Sequence, residues 1–239
     1  MTNNKSTDFD AIIIGAGFAG LSLIHHLKKI GLSIKVFDKT SDIGGTWTWN
    51  RYPGAMTDSE AYYYCFAFSK EILQNWSWSQ RYPAWDEMHR YMHFVADECN
   101  MWPHIQLDTE ITSAVYQKDS STWLITTGDE KQYTCKYFIS GMGMISDPVM
   151  PKIKGIEKFK GPCFHSARWP EGLDHVGKRI GIVGSGATTV QMLPVIAQKA
   201  ASVTVFQRTP NFILPAMQKP MTPAWEKEIK ENYDEIIAK

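Results

Sequence analysis

Residues 9–38 constrain the fold more than any other part of the chain. An apolar run, FDAIII, leads into Gly15-Ala16-Gly17-Phe18-Ala19-Gly20. Apolar residues at helical spacing follow to about Ile30, and a second apolar run at 34–37 ends against Asp38. Strand, glycine turn, helix and strand in that order predict the opening βαβ unit of a parallel sheet. The glycines permit a tight turn, the approach of a pyrophosphate and close helix packing, while the helix start offers positive partial charge. A carboxylate at the end of the second strand accepts bonds from ribose hydroxyls. Gly15, Gly17, Phe18, Ala19, Gly20 and Asp38 are therefore candidate dinucleotide-binding residues.

The pattern returns near the other end, with a strand at 179–183, Gly184-Ser185-Gly186-Ala187-Thr188-Thr189, a helix over 187–199 and a strand at 202–206. Thr189 replaces the third glycine, which is expected to loosen helix packing without blocking a phosphate. The position that corresponds to Asp38 is Gln207, and Arg208 stands beside it. A carboxylate repels a 2'-phosphate, whereas an arginine holds one with charge-assisted bonds. The first unit is thus expected to take a nucleotide with a free ribose diol and the second to prefer NADP. Two unlike dinucleotide sites in one chain point to a flavin paired with a nicotinamide.

The fold class expected is α/β, with two dinucleotide-binding, Rossmann-like units, the first for FAD and the second an incomplete unit for NADP. Between the two lie an irregular aromatic-rich region over 44–83, a helix over 85–100, and strands at 106–117, 122–127 and 133–139 with a hairpin turn at 127–130. Prolines and glycines over 141–164 place a boundary there. The domains expected are an FAD-binding part at 1–150, a connector at 151–176 and the start of an NADPH-binding domain at 177–239. Residues 223–239 read as a charged surface helix.

Composition excludes several classes. The 239 residues hold 25 lysines and arginines against 25 aspartates and glutamates, so no net field gathers nucleic acid or an anionic membrane. Four scattered cysteines without a CxxC pair argue against a disulfide framework and a zinc knuckle. No apolar run approaches the roughly 20 residues of a membrane span, and no leader precedes the first strand, so a cytoplasmic protein is expected. His89 and His93 stand four apart on the helix over 85–100, but no third ligand sits at a motif spacing, and no metal is predicted.

Taken together, GAGFAG, GGTWTWNRYPGAMTD at 44–58, FKGPCFHSARWP at 159–170, GSGATT and FQRTPN resemble the Baeyer-Villiger monooxygenases, within the class B flavin monooxygenases. Phe159, Gly161, His165, Trp169 and Pro170 meet the FxGxxxHxxxWP pattern in full, and GAMTD with IKENYDEI is most similar to the cyclohexanone monooxygenase branch. The resemblance covers essentially the whole chain but only the N-terminal part of such an enzyme. It implies that NADPH reduces FAD and that O2 is then split, one atom entering beside a ketone carbonyl to give an ester or lactone. It also implies that Thr46, Trp47, Thr48, Trp49, Asp58, Tyr64 and Ile111 help hold FAD, and that Met56, Thr57 and Asp58 meet NADP with the second loop, Arg208 and Thr209. Many members carry Arg-Cys where this chain has Met56-Thr57.

Asp58 is the catalytic candidate. By the resemblance it lies near the flavin and orients an arginine from beyond residue 239, so a C-terminal half or partner chain is expected to complete the site. His165 and Trp169 are expected to couple the two units through the connector rather than to act as acid or base. Two other readings stand beside this one: an N- or S-oxygenating flavin monooxygenase, against which Asp58 and Trp169-Pro170 argue, and a nucleotide-binding fragment without catalysis.

Overall fold

The computed structural model describes residues 7–238. In β1 (Phe9–Ile14), Ala11, Ile12 and Ile13 are fully buried although alternate side chains point to opposite faces, so both sides of this strand are covered. It is flanked in parallel by β2 (Ile34–Phe37) and by β6 (Gln132–Ser140). The six-stranded sheet runs β3 (Ile105–Gln106), β2, β1, β6, β5 (Thr122–Thr127), β4 (Ile111–Gln117), with β4, β5 and β6 antiparallel. Helix α1 (Phe18–Lys29) makes the crossover and buries Gly20, Leu21 and Ile24. Each such aliphatic side chain taken out of water contributes about 1.5–3 kcal/mol.

The strand expected over 106–117 is two strands. Ile105–Gln106 pairs in parallel with β2, whereas Ile111–Gln117 pairs antiparallel with β5. The chain turns between them at Asp108, whose φ is 49°, and the backbone N–H groups of Asp108 and Thr109 donate to the carbonyls of Thr40 and Asp38. The sequence reads through such a crossing because both halves carry partly buried residues on extended chain.

The chain divides into two compact units, both discontinuous. The first takes the described residues up to Thr48, Phe68–Ile72 and His89–Ser146; the second takes Trp49–Ala67, Leu73–Met88 and the described residues from Asp147 onward. Thus residues 49–67 and 73–88 group with the later part of the chain, where a sequence boundary near 150 assigns them to the earlier part. Three helices fall in this intervening stretch: α2 (Thr46–Trp49), α3 (Lys70–Asn75) and α4 (Trp85–Glu98).

In the second unit, β7 (Arg179–Val183) and β8 (Ser202–Phe206) form a parallel pair joined by α5 (Ala187–Ile196). Ile182, Met192 and Ile196 bury themselves against Tyr52 and Ala55. The last stretch is not one solvated helix. It breaks at Asn232 into α6 (Pro223–Glu231) and α7 (Tyr233–Ile237). Ile229 and Tyr233 are buried with Leu73, and Trp225 and Ile236 pack against them, because these apolar residues recur at helical spacing among the charges. Lys239 lies outside the described residues.

All four cysteines are free thiols. Burial pushes the Cys65 thiol up to about 12 and that of Cys135 up to about 11. Among the described residues no helix is long and apolar enough to cross a membrane.

Candidate nucleotide-binding sites

The two glycine turns share one backbone frame. Gly15 has φ +100° and its N–H donates to the Phe37 carbonyl at 2.8 Å; Gly184 has φ +105° and its N–H donates to the Phe206 carbonyl at 2.8 Å. Each helix then starts on a glycine N-cap, Gly17 or Gly186, with no side-chain cap and no acidic residue in its first turn. The N–H groups of Phe18, Ala19 and Gly20, and of Ala187, Thr188 and Thr189, thus lie at helix starts that suit a phosphate.

At the third position the turns differ. A Cβ on Gly20 would stand 2.0 Å from the Gly15 carbonyl oxygen, so the first helix closes tightly on its turn. Thr189 occupies the equivalent place in the second, buried, with its hydroxyl donating to the Gly184 carbonyl at 3.0 Å. The second turn is opened just enough to replace a bare contact with a hydrogen bond.

Asp38 follows directly on β2 and is 8% exposed. Its carboxylate accepts from the Ala16 N–H at 2.7 Å, the Thr40 N–H at 2.9 Å and the Thr40 hydroxyl at 2.7 Å. A carboxylate has about four acceptor sites, so roughly one remains for a ribose hydroxyl. Asp38 therefore also ties the end of the second strand to the turn itself. Gly45 lies against the same turn: a Cβ on Gly17 would be 3.4 Å from its Cα, and the Gly44 N–H donates to the Ala16 carbonyl at 3.1 Å. Thr46, Trp47 and Thr48 follow on α2, with Trp47 buried and the Thr48 hydroxyl donating to the Ile43 carbonyl at 2.6 Å. Ile111 packs on the core around Ile12 and Phe37, which leaves its backbone rather than its side chain for any ligand.

In the second unit the side chain of Gln191, on α5, gathers the segment at 52–58. Its Nε2 donates to Asp58 Oδ1 at 2.7 Å and to the Met56 carbonyl at 3.0 Å, while its Oε1 accepts from the Tyr52 hydroxyl at 2.8 Å and the Met56 N–H at 3.4 Å. Burial, the largest influence, raises the Tyr52 phenol above its ordinary range, so it remains a neutral donor. Asp58 itself is exposed. Thr57 is 3% exposed, and its hydroxyl donates to the Ser59 carbonyl at 2.7 Å, so its side chain is engaged within the protein. Tyr64 is half-buried, its N–H on the Glu60 carbonyl at 2.9 Å.

Arg208 is exposed two residues past β8. The loop that carries it is laced to the second turn: Asn211 Nδ2 donates to the Ser185 carbonyl at 2.7 Å, and the Ser185 hydroxyl to the Thr209 carbonyl at 3.4 Å. In the connector, His165 caps a single helical turn, its Nδ1 accepting from the Ala167 N–H at 3.1 Å. Trp169 packs on the Ile182 and Met192 cluster and meets Phe164 edge-on at 5.2 Å. Arg168 lies 3.8 Å over the ring of Trp49. Phe159, Gly161 and Pro170 are exposed.

Two unlike turns on one frame are what a flavoprotein using a second nucleotide requires, and residues 10–238 match the profile of the flavin-binding monooxygenase-like family. The chain belongs to that family. It is 42% identical over 98% of its length to a Baeyer-Villiger monooxygenase of Pseudooceanicola batsensis, and 40% identical over 99% to the phenazine N-monooxygenase PhzNO1 of Lysobacter antibioticus. It covers 43% and 44% of those proteins, so it spans less than half the length of the curated relatives it matches. A crystal structure of cyclohexanone monooxygenase from Rhodococcus sp. Phi1 bound to NADP+ superposes with a TM-score of 0.92 at 38% identity, covering 96% of this chain and 44% of that one.

For a flavin-binding monooxygenase-like chain, the residues that sequence reading missed are Gln191 and Asn211. Gln191 reads as one more polar position in a helix. Only its convergence with a segment 133 residues earlier reveals what it holds. Asn211 had a signal, since it closes the FQRTPN stretch that also carries Arg208 and Thr209.

Proposed function

We propose that the chain forms the FAD- and NADPH-binding part of a monooxygenase that inserts one oxygen atom from O2 beside a ketone carbonyl, giving an ester or lactone. The observation that carries this reading is the contrast between the two turns. They share one frame, but the strand after the first is followed by Asp38 and the strand after the second by Gln207 and Arg208. In a flavin-binding family, the turn with the carboxylate is the one for the adenine ribose of FAD, and the turn with the arginine is the one for the 2'-phosphate of NADPH. When bound, the flavin and nicotinamide together supply the redox chemistry that activates oxygen.

The chain's own residues bind and orient. Gly15, Gly17 and the first N–H groups of α1 hold a pyrophosphate, Asp38 takes a ribose hydroxyl through its remaining acceptor site, and Gly45 with Thr46 to Thr48 shapes the wall beside the turn. Gly184 to Thr189 hold the second pyrophosphate, with Arg208 and Thr209 on the loop fastened by Asn211. Met56 and Asp58 face the nicotinamide nucleotide, and Gln191 fixes the Asp58 carboxylate by bonding one of its oxygens, leaving the other to orient a cation. That cation, the ketone pocket and any partner chain belong to the proposal for the whole protein, because relatives are more than twice as long.

N-oxygenation is the second reading, favoured by 40% identity to a phenazine N-monooxygenase over 99% of the chain. Expression of the complete reading frame separates the two, with oxygen-dependent NADPH oxidation followed on cyclohexanone and on an aromatic N-heterocycle. Lactone from the ketone supports the first reading. N-oxide without lactone decides for the second, and oxidation of NADPH with neither product overturns both.

A further inference from the structure

The third ligand that His89 and His93 lack in the sequence comes from the loop after β2. Asp42 lies between the two rings, its Oδ2 3.1 Å from His89 Nε2 and its Oδ1 2.8 Å from His93 Nε2. The two histidines are one turn apart on α4, with ring centroids 4.9 Å from each other, and one donor atom from each of the three residues falls within a 4.8 Å cluster. We propose that Asp42, His89 and His93 form a binding site for a divalent transition-metal ion of the zinc class.

Three features carry this beyond an ordinary ion pair. First, the carboxylate is set by its own loop: Asp42 Oδ1 accepts from the Ile43 N–H at 2.8 Å. Second, the spacing is close to what an ion needs. Metal–ligand bonds near 2.0–2.2 Å put tetrahedral ligand atoms roughly 3.3 Å apart, and one donor atom from each of the three residues lies within 4.8 Å of the other two, so the set needs to close by at most about 1.5 Å to share one ion. Third, the side chains are half-buried, which leaves the fourth position open to water and to exchange. Two imidazoles and a carboxylate with no thiolate favour zinc, nickel, cobalt or copper(II) over calcium or magnesium. An imidazole must be neutral to bind a metal ion, so affinity falls in acid.

The ion would act as a brace. Asp42 stands two residues before Gly44, whose N–H donates to the Ala16 carbonyl of the first glycine turn. A metal bond from Asp42 to both histidines fixes that loop to α4 without entering flavin chemistry, so the brace is independent of the oxygenation chemistry.

The test uses tag-free protein stripped with a chelator and titrated with Zn2+ in competition with a chromophoric chelator, then with Co2+. The expected result is one equivalent of zinc bound at micromolar concentration, a higher thermal midpoint in its presence, and a Co2+ spectrum without a near-ultraviolet thiolate band. His93→Asn and His89→Leu are each expected to weaken binding by about 100-fold or more, with far-ultraviolet circular dichroism unchanged. No stoichiometric uptake overturns the proposal and leaves a close Asp–His contact without an ion. A thiolate band in the cobalt spectrum overturns it even where a variant fails to fold, and so does undiminished zinc affinity in His93→Asn.

Discussion

Gln191 donates its side-chain amide to Asp58 at 2.7 Å while accepting from the buried hydroxyl of Tyr52 at 2.8 Å. One side chain on α5 thereby fixes both the candidate carboxylate and the tyrosine behind it. Replacing Gln191 with alanine removes that acceptor but leaves the Tyr52 hydroxyl its contact with Thr188, so the loss is that of one hydrogen bond, about 1 kcal/mol, read as a lower urea midpoint. Gln191→Glu is the sharper variant. It sets a carboxylate against Asp58, so one of the two is pushed up and the pair destabilises the fold once both ionise. Its stability deficit is expected at neutral pH and shrinks as the pH falls below the ordinary carboxylate range; a deficit independent of pH would count against the contact.

The two third-position residues predict opposite tolerances. Gly20→Ala drives a methyl into the Gly15 carbonyl, 2.0 Å away, and neither backbone group can retreat without opening the turn. Loss of bound flavin absorbance in the full-length protein is the expected outcome. Thr189→Ala removes a hydroxyl bond to Gly184, worth about 1 kcal/mol, and one buried methyl, worth about another 1 kcal/mol, and flavin content stays unchanged.

The elements legible in the sequence are those made by neighbours in the chain. Both βαβ units could be read at 9–37 and 179–206 because glycine turns, apolar runs and helical spacing are local signals. The pairing of β6 beside β1 was not legible, since no local pattern says that Cys135 will lie opposite Phe9. The same limit hid Asp42 from His89 and His93, and Gln191 from Asp58. Each pair is chemically plain once adjacent, but adjacency is set by the packing of distant segments. The split of 106–117 failed for another reason: a positive φ at Asp108 is open to aspartate without being announced by it.

Acid sensitivity is expected at the N-terminal edge of the central strand. The hydrogen bond from Lys136, then those from Ser33, hold the Asp10 carboxyl well below its usual range, and hydrogen bonds from Thr134 lower that of Asp8. A depressed folded value stabilises above the unfolded value of about 3.9 and is lost as the pH falls through the folded one. Asp10→Asn should therefore have a lower thermal midpoint at neutral pH but lose less on acidification from about pH 5 to pH 2. Parallel declines in the two proteins would show that Asp10 does not carry the acid limb.

Arg208 decides whether the second turn reads the 2'-phosphate. Its loop is held to the turn by Asn211 and Ser185, so removing the guanidinium alone leaves the loop in place. Charge-assisted bonds to a phosphate contribute about 1.5–3 kcal/mol, so Arg208→Ala should lose about ten- to hundredfold in NADPH affinity. NADH, which has no 2'-phosphate, should bind as before. Arg208→Lys keeps the charge but not the bidentate fork and should recover only part of the loss. These values come from titrating the full-length protein with each nucleotide. Equal losses for NADPH and NADH would mean that Arg208 supports the loop rather than the phosphate, and the assignment of NADP to this unit would fall with it.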